Sequence, residues 1–208
     1  MHGPAGSTLL PVLGRATKMV PASGKRGIQL TEVGAPGVRV RPATRADAPA
    51  IVWVWNSSIV PGEDAGFGGG MDSPFHDASV LAALWRDPDV VGGEEVLVAE
   101  MDGRIVGCAT VEDRGSELEI VNINVPLPLQ GKGVGTILVR WVEERARAEG
   151  KQAVTAGTSR SAQGVAWKSL PWWQHLGYRV THEEENAWTR SIGPGVREIR
   201  LRKELSAE

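Results

Sequence analysis

The sequence predicts an α/β fold carried by one domain, and three observations point to it. Strand-like and helix-like segments alternate from Val38 onward in the order β-α-α-β-β-β-α-β-α-β-β. The stretch "EEVLVAEMDGRIVGCATVED" places two strands on either side of Asp102-Gly103, the dipeptide that suits a two-residue primed turn. A glycine-rich run, "LPLQGKGVG", then opens directly into an amphipathic helix.

Each element has its own local signal. "VRVRPAT" alternates as a first strand, and Thr44 with Asp47 three residues on approaches a capping box ahead of the helical run "RADAPAIVWVWNSSI". "VPGEDAGFGGGMDSPF" reads as a flexible loop, and "DASVLAALWRD" as a short helix ended by Pro88. After the hairpin, "ELEIVNINV" is a strand closed by Pro126 and Pro128. The helix predicted over 133–149 carries Val134, Ile137, Leu138, Trp141 and Val142 on one face and ends at Gly150. "QAVTAGT" is a further strand. "SAQGVAWKSLPWWQHLG" is helical with a break expected at Pro171, and "YRVTHE" and "VREIRLRKEL" are closing strands joined by a turn at "SIGPG".

Bulk properties narrow the function classes. The chain has 208 residues, 41% hydrophobic and 23% charged, in the range of soluble globular proteins. No run reaches the ~18 apolar residues of a transmembrane helix. A net charge of −2 gives no electrostatic reason to expect nucleic acid or an acidic membrane as partner. With Cys108 alone, no intrachain disulfide can form, and a cytoplasmic protein is expected. Residues 1–37 read as a Gly/Pro-rich extension before a domain at 38–208. "TLLPVLG", interrupted by Pro11, is too weak for a signal peptide.

The loop from Gln130 to Gly135 carries the chemistry. Its glycines let the backbone adopt unusual φ and come close to a ligand. Successive N–H groups can then converge on one anion, backed by the positive end of a helix dipole. The pattern suits a phosphate and needs no metal. It is not a Walker loop, because Thr136 does not follow a lysine, and its spacing is not that of a dinucleotide-binding turn.

Here the chain resembles the GNAT superfamily of acyl-CoA-dependent N-acyltransferases. Gln130-Gly131-Lys132-Gly133-Val134-Gly135 fits that family's Q/R-x-x-G-x-G/A loop, and "WWQHLGYRV" is similar to its F-Y-x-x-x-G-F segment. The resemblance spans Val38 to Leu205. It implies a mixed, mostly antiparallel central sheet flanked by helices and split at a V-shaped cleft between the fourth and fifth strands, at 117–125 and 152–157. It also implies acetyl-CoA or another acyl-CoA as co-substrate, held by Gln130 to Gly135 with Thr136, and no metal. Backbone N–H groups of Ile123 and Val125 would polarise the thioester carbonyl, a contribution often worth ~3–4 kcal/mol per donor. Ser161, with Ser159, stands in for an asparagine that relatives place at the start of the next helix. Trp173 stands where many relatives carry a tyrosine that protonates the leaving thiolate.

An indole N–H is not a usable acid, so His175 and Tyr178 become candidates for that role. Glu119, eleven residues before Gln130, matches the offset of the basic glutamate in members resembling histone acetyltransferases. Burial in the cleft is expected to raise its pKa toward working pH. Glu117 and Glu112 are substitutes. For the acceptor, Trp53, Asn56 and Trp188, with Trp55, offer an aromatic and polar wall, and Glu63, Asp64 or Glu183 to Glu185 could attract a cation. The expected activity is transfer of an acetyl or small acyl group to a primary amine of a small metabolite or antibiotic. Two alternatives stay open: a donor thioester on an acyl carrier protein, and a silent acyl-CoA-binding regulatory module. A homodimer stays open as well.

Overall fold

The computed structural model describes residues 37–58 and 94–205, in which seven strands form one sheet. They are β1 (Val38–Pro42), β2 (Glu94–Met101), β3 (Arg104–Asp113), β4 (Glu117–Asn124), β5 (Ala153–Arg160), β6 (Arg179–Glu184) and β7 (Arg197–Glu204). The order is β1-β2-β3-β4-β5-β7-β6, and every neighbouring pair is antiparallel except β4 with β5. Four helices accompany it: α1 (Ala48–Ser57), α2 (Val134–Ala148), α3 (Leu170–His175) and α4 (Ala187–Ile192). The mixed, mostly antiparallel sheet expected from the sequence is therefore present. Among the described residues no helix is long and apolar enough to cross a membrane. The extension at 1–36, the glycine-rich loop, the helix expected over 77–87, Glu63 and Asp64 all lie outside the described residues.

Strand alternation sorts the side chains between two layers. On one face Leu97, Ala109, Val111, Leu118, Ile120, Val154, Ala156 and Leu201 pack beneath the stripe Val134, Leu138, Val139, Val142 and Ala146 of α2. On the other face Val98 and Cys108 pack beneath Ala48, Ile51, Val52 and Val54 of α1. Burying each large aliphatic side chain contributes ~1.5–3 kcal/mol, so these two layers hold the frame around the cleft. At Gly107 of β3 an added Cβ would lie 2.9 Å from Val134 Cγ1 and 3.4 Å from the Asn124 carbonyl oxygen. Its bareness lets the first turn of α2 sit directly on the sheet.

Local signals account for most boundaries. Asp102 and Gly103 have φ of 50° and 72°, the pair of positive values that a primed hairpin turn requires. The Asp47 carboxylate accepts from the Thr44 N–H at 2.7 Å and from its hydroxyl at 3.0 Å, closing the single 3₁₀ turn that leads into α1. Hydrogen bonds from Arg41 are the main cause holding the Asp47 carboxyl down to about 2. Gly150, at φ 71°, ends α2, and the next N–H, of Lys151, returns to the Ala146 carbonyl at 2.8 Å.

Two expectations fail. Pro171 does not break a long helix. Residues 161–168 are non-helical, and Pro171 instead sits in the first turn of α3, where its missing N–H costs nothing. The segment before β7 is more than a turn, because it contains α4. Asn186 caps that helix: its Oδ1 accepts from the Thr189 N–H at 3.0 Å, and its own N–H donates to Thr189 Oγ1 at 2.9 Å.

The β4–β5 ladder is short. It runs only from Glu117–Ala153 to Ile120–Ala156, after which β4 continues along β3 and β5 along β7. The divergence coincides with a bulge. Ile120 faces Val111 and Asn122 faces Thr110, leaving Val121 as an extra, exposed residue on β4. A bulge bends its strand and ends regular pairing, and here it opens a V-shaped gap between the fourth and fifth strands.

Candidate active site

At the mouth of this gap stands the loop from Gln130 to Gly135. Gly131 and Gly133 have φ of 75° and 88°, and neither would meet a neighbour if given a Cβ, so conformation and not space requires glycine there. Gly133 is the N-cap of α2, and no side chain caps the helix. The Gln130 N–H is taken by the Pro126 and Leu127 carbonyls and that of Lys132 by Leu129, while the first intrahelical bond runs from the Ile137 N–H to the Gly133 carbonyl at 3.0 Å. Among the described residues no acceptor meets the N–H groups of Gly131, Gly133, Val134, Gly135 and Thr136. These five amides, with the exposed Lys132 beside them, suit a polyanion such as the diphosphate of a CoA thioester.

Gln130 serves the loop from outside. Its Nε2 donates to the Val125 carbonyl at 2.9 Å and to the Ser58 carbonyl at 3.1 Å, tying the loop to the end of β4 and to the end of α1. Ser58 Oγ in turn donates to Asn124 Oδ1 at 3.1 Å. Beyond Ile120, the edge of β4 at Ile123, and Val125 just past its end, have no strand partner across the gap among the described residues.

Three expectations for residues in and around α3 are corrected. Trp173 is only 2% exposed and packs edge-on against Tyr178, with ring centroids 4.9 Å apart. It is a core residue, and a cofactor contact through its side chain is not available in this arrangement. Tyr178 is equally buried. Among the described residues its hydroxyl has no partner in hydrogen-bond geometry, and burial first, then the neighbouring Glu143, pushes its pKa far above the ordinary phenol range. A ring so deeply buried does not face the gap. Ser161 is 2% exposed, and its Oγ accepts from the Val165 N–H at 3.2 Å, so it closes the turn after β5 and does not face the gap. Ser159 is likewise buried. His175 is exposed at the last position of α3.

The residue that does face the loop is Trp172, one position before the Trp173 to which the motif points. An added Cβ on Gly135 would lie 3.3 Å from Trp172 Cζ2 and 3.8 Å from Val125 Cγ2. The Trp172 Nε1 donates to Thr136 Oγ1 over 3.4 Å. Helix phase alone decides which of two adjacent tryptophans turns inward, and a six-residue helix opened by proline gives that phase no periodic signature.

On the α1 side of the sheet, past the gap, a chain of paired charges crosses four strands. Arg114, just beyond β3, reaches Glu112 at 2.7 Å and Glu119 at 2.8 Å; Arg200 reaches Glu119 at 2.7 Å and Glu198 at 2.8 Å; and Asn186 donates to Glu198. Any Cβ on Gly157 would overlap the Glu198 carboxylate. Burial alone would raise the Glu119 pKa. The charges and hydrogen bonds of Arg200 and Arg114 outweigh it and hold the carboxyl below its ordinary value. The expectation of a base tuned upward toward neutral pH is therefore not met, because Arg114 and Arg200, from outside β4, both pair with Glu119. Glu117, the first substitute, is paired with Arg202.

The residues expected to form the acceptor wall come from two separate helices. Trp53, 54% exposed, and Asn56 lie on the outer side of α1, whereas Trp188, 39% exposed, lies on α4 across the gap. Trp55 is turned partly into the core beside Cys108, whose thiol burial pushes up to about 12. Glu183 pairs with Arg160 at 2.7 Å.

A mostly antiparallel sheet splayed between its one parallel pair, with a bare anion loop at the mouth, defines an acetyltransferase architecture. The chain belongs to the acetyltransferase (GNAT) family, whose profile matches residues 64–178. A curated relative, "Probable N-acetyltransferase 14" of Xenopus tropicalis, is 28% identical over 118 residues, which cover 48% of this chain and 57% of the relative. The chain thus matches little more than half of that relative's length. Among solved structures, the fold is similar to the ribosomal-protein-S18-alanine N-acetyltransferase of Escherichia coli (TM-score 0.59, 13% identity, 82% of this chain and 96% of that one). It is also similar to a Salmonella typhimurium protein determined with its cofactor acetyl-CoA (TM-score 0.57, 23% identity, 82% and 95%). At these identities the structural likeness speaks for the fold.

Proposed function

We propose that this chain is an N-acetyltransferase that moves an acetyl or small acyl group from acyl-CoA to a primary amine of a small metabolite. One observation carries the reading: beside the parting of the two parallel strands, a loop with left-handed Gly131 and Gly133 leads into α2 with five backbone amides that meet no acceptor among the described residues. The diphosphate binds at Gly131 and Gly133 to Thr136, with Lys132 adding charge. The thioester arm lies in the gap along the open edge of β4, and the Ile123 and Val125 N–H groups donate to its carbonyl oxygen as negative charge gathers there. The loop binds only the remote end of the cofactor, so its binding energy positions the reacting carbon. The amine approaches from the face paved by Asn122, Asn124 and the Glu119–Arg200 pair. There Glu119 positions and does not act as a base tuned to neutral pH. As the C–N bond forms and the C–S bond breaks, the amine gives up its proton to water in the gap, and the thiolate leaves unprotonated or takes a proton from solvent, at a cost tolerable for a thiol of pKa ~8.5.

Purified protein with acetyl-CoA and pooled primary amines is expected to release free thiol with at least one pool. Binding of acetyl-CoA without thiol release from any pool would contradict the enzyme reading and favour the silent binding module. Release that only a carrier-bound thioester supports would move the donor to an acyl carrier protein.

A further inference from the structure

The passage from the anion loop into the gap has two sides, the first turn of α2 at Gly135 and Thr136 and the end of the β4 edge at Val125. One side chain stands against both. Trp172 Cζ2 and Cη2 come within 3.3 and 3.5 Å of the place where a Gly135 Cβ would be, and Val125 Cγ2 within 3.8 Å of the same place. On the acyl-CoA reading, a thioester arm running from a diphosphate on Gly131 to Thr136 toward Ile123 passes between these two sides.

The holding forces on this indole are weak compared with those on its neighbour. Trp172 is partly exposed, with one long hydrogen bond of 3.4 Å to Thr136 Oγ1 and a tilted ring contact to Trp173 at 4.6 Å between centroids. Trp173 behind it is locked in the core at 2% exposure. Trp172 packs on the rim of the core as a partly buried side chain, so rotating it outward gives up one long hydrogen bond and rim packing, whereas rotating the buried Trp173 would open a cavity within the core. Gly135 without a side chain lets the indole lie this close.

We propose that Trp172 is a gate: in the free protein its indole occupies the passage for the pantetheine arm, and it swings out when acyl-CoA seats. The gate rests on the acyl-CoA reading above. A closed majority state lowers apparent affinity by the fraction of molecules that are open. If the open state is populated at ~10% or less, removing the indole tightens apparent coenzyme A binding ~tenfold or more, and the gain appears in the association rate.

The test uses the whole chain and coenzyme A itself. Calorimetry and stopped-flow binding are compared for wild type, Trp172→Leu and Trp172→Phe. Trp172→Leu is expected to raise the association rate ~tenfold with the dissociation rate within about twofold, and Trp172→Phe to fall between. If the leucine variant does not fold, the phenylalanine variant alone decides, by the same direction of change. Equal or weaker coenzyme A binding in the folded variants would overturn the gate and leave the acyl-CoA reading standing. Wild type that binds no coenzyme A would overturn both.

Discussion

Gly133→Glu is expected to weaken coenzyme A binding at least ~100-fold, equivalent to about 2.7 kcal/mol, and to remove acetyl transfer with it. Gly133 holds φ 88° at the N-cap of α2, so any β-carbon there is strained by ~1–2 kcal/mol. A carboxylate at this point does further harm. It can itself accept from the free N–H groups of the first turn, and it repels the diphosphate that would replace it. The companion variant Gly133→Ala carries the strain without the charge and is expected to lose only ~5–30-fold. Isothermal titration with coenzyme A reads both. An affinity within about threefold of wild type for Gly133→Glu would show that the loop is a plain turn.

Glu119→Gln is the second large effect, and it is expected in stability more than in the pH–rate profile. The substitution keeps the shape but leaves Arg114 and Arg200 facing each other around a neutral amide. Breaking a buried pair by removing one partner costs ~3–5 kcal/mol. Arg114 is about half exposed and keeps Glu112, and Arg200 keeps Glu198, so a loss of ~1–3 kcal/mol is expected. The sign with pH follows from the lowered folded pKa. The contribution of Glu119 is complete above the unfolded carboxylate value of ~4.3 and disappears as pH falls through the lower folded value. Denaturation midpoints of wild type and variant should therefore differ at pH 7 and draw together below pH ~4. In turnover, the variant should keep the shape of the wild-type profile between pH 6 and 9. Loss of an acid limb near neutrality in Glu119→Gln alone would restore Glu119 as the general base.

Much of the frame was legible because its signals are local. Asp102-Gly103, Gly150 and the Thr44–Asp47 pair each dictate a backbone geometry within a few residues, and the stripe on α2 repeats often enough to fix its phase. The loop at 130–135 was legible for the same reason, since positive φ at Gly131 and Gly133 is a property of the residues themselves. The cleft chemistry was not. Glu119 is held by Arg200 from a strand eighty-one residues later (200 − 119), and no periodicity links them. Motif position points to Trp173 and nearness to it points to Tyr178, whereas packing decides which aromatic rings meet the core and which meets the loop. Helix α4 carried a readable signal in Asn186-x-x-Thr189, but its six residues fall below the length at which apolar spacing shows.

The most direct measurement is a crystal structure of this chain with coenzyme A. The diphosphate oxygens are expected within hydrogen-bond distance, ~3 Å, of the N–H groups of Gly131, Gly133, Val134, Gly135 and Thr136, with the pantetheine arm between β4 and β5. A diphosphate bound elsewhere on the molecule, with those five amides open to water, would contradict it.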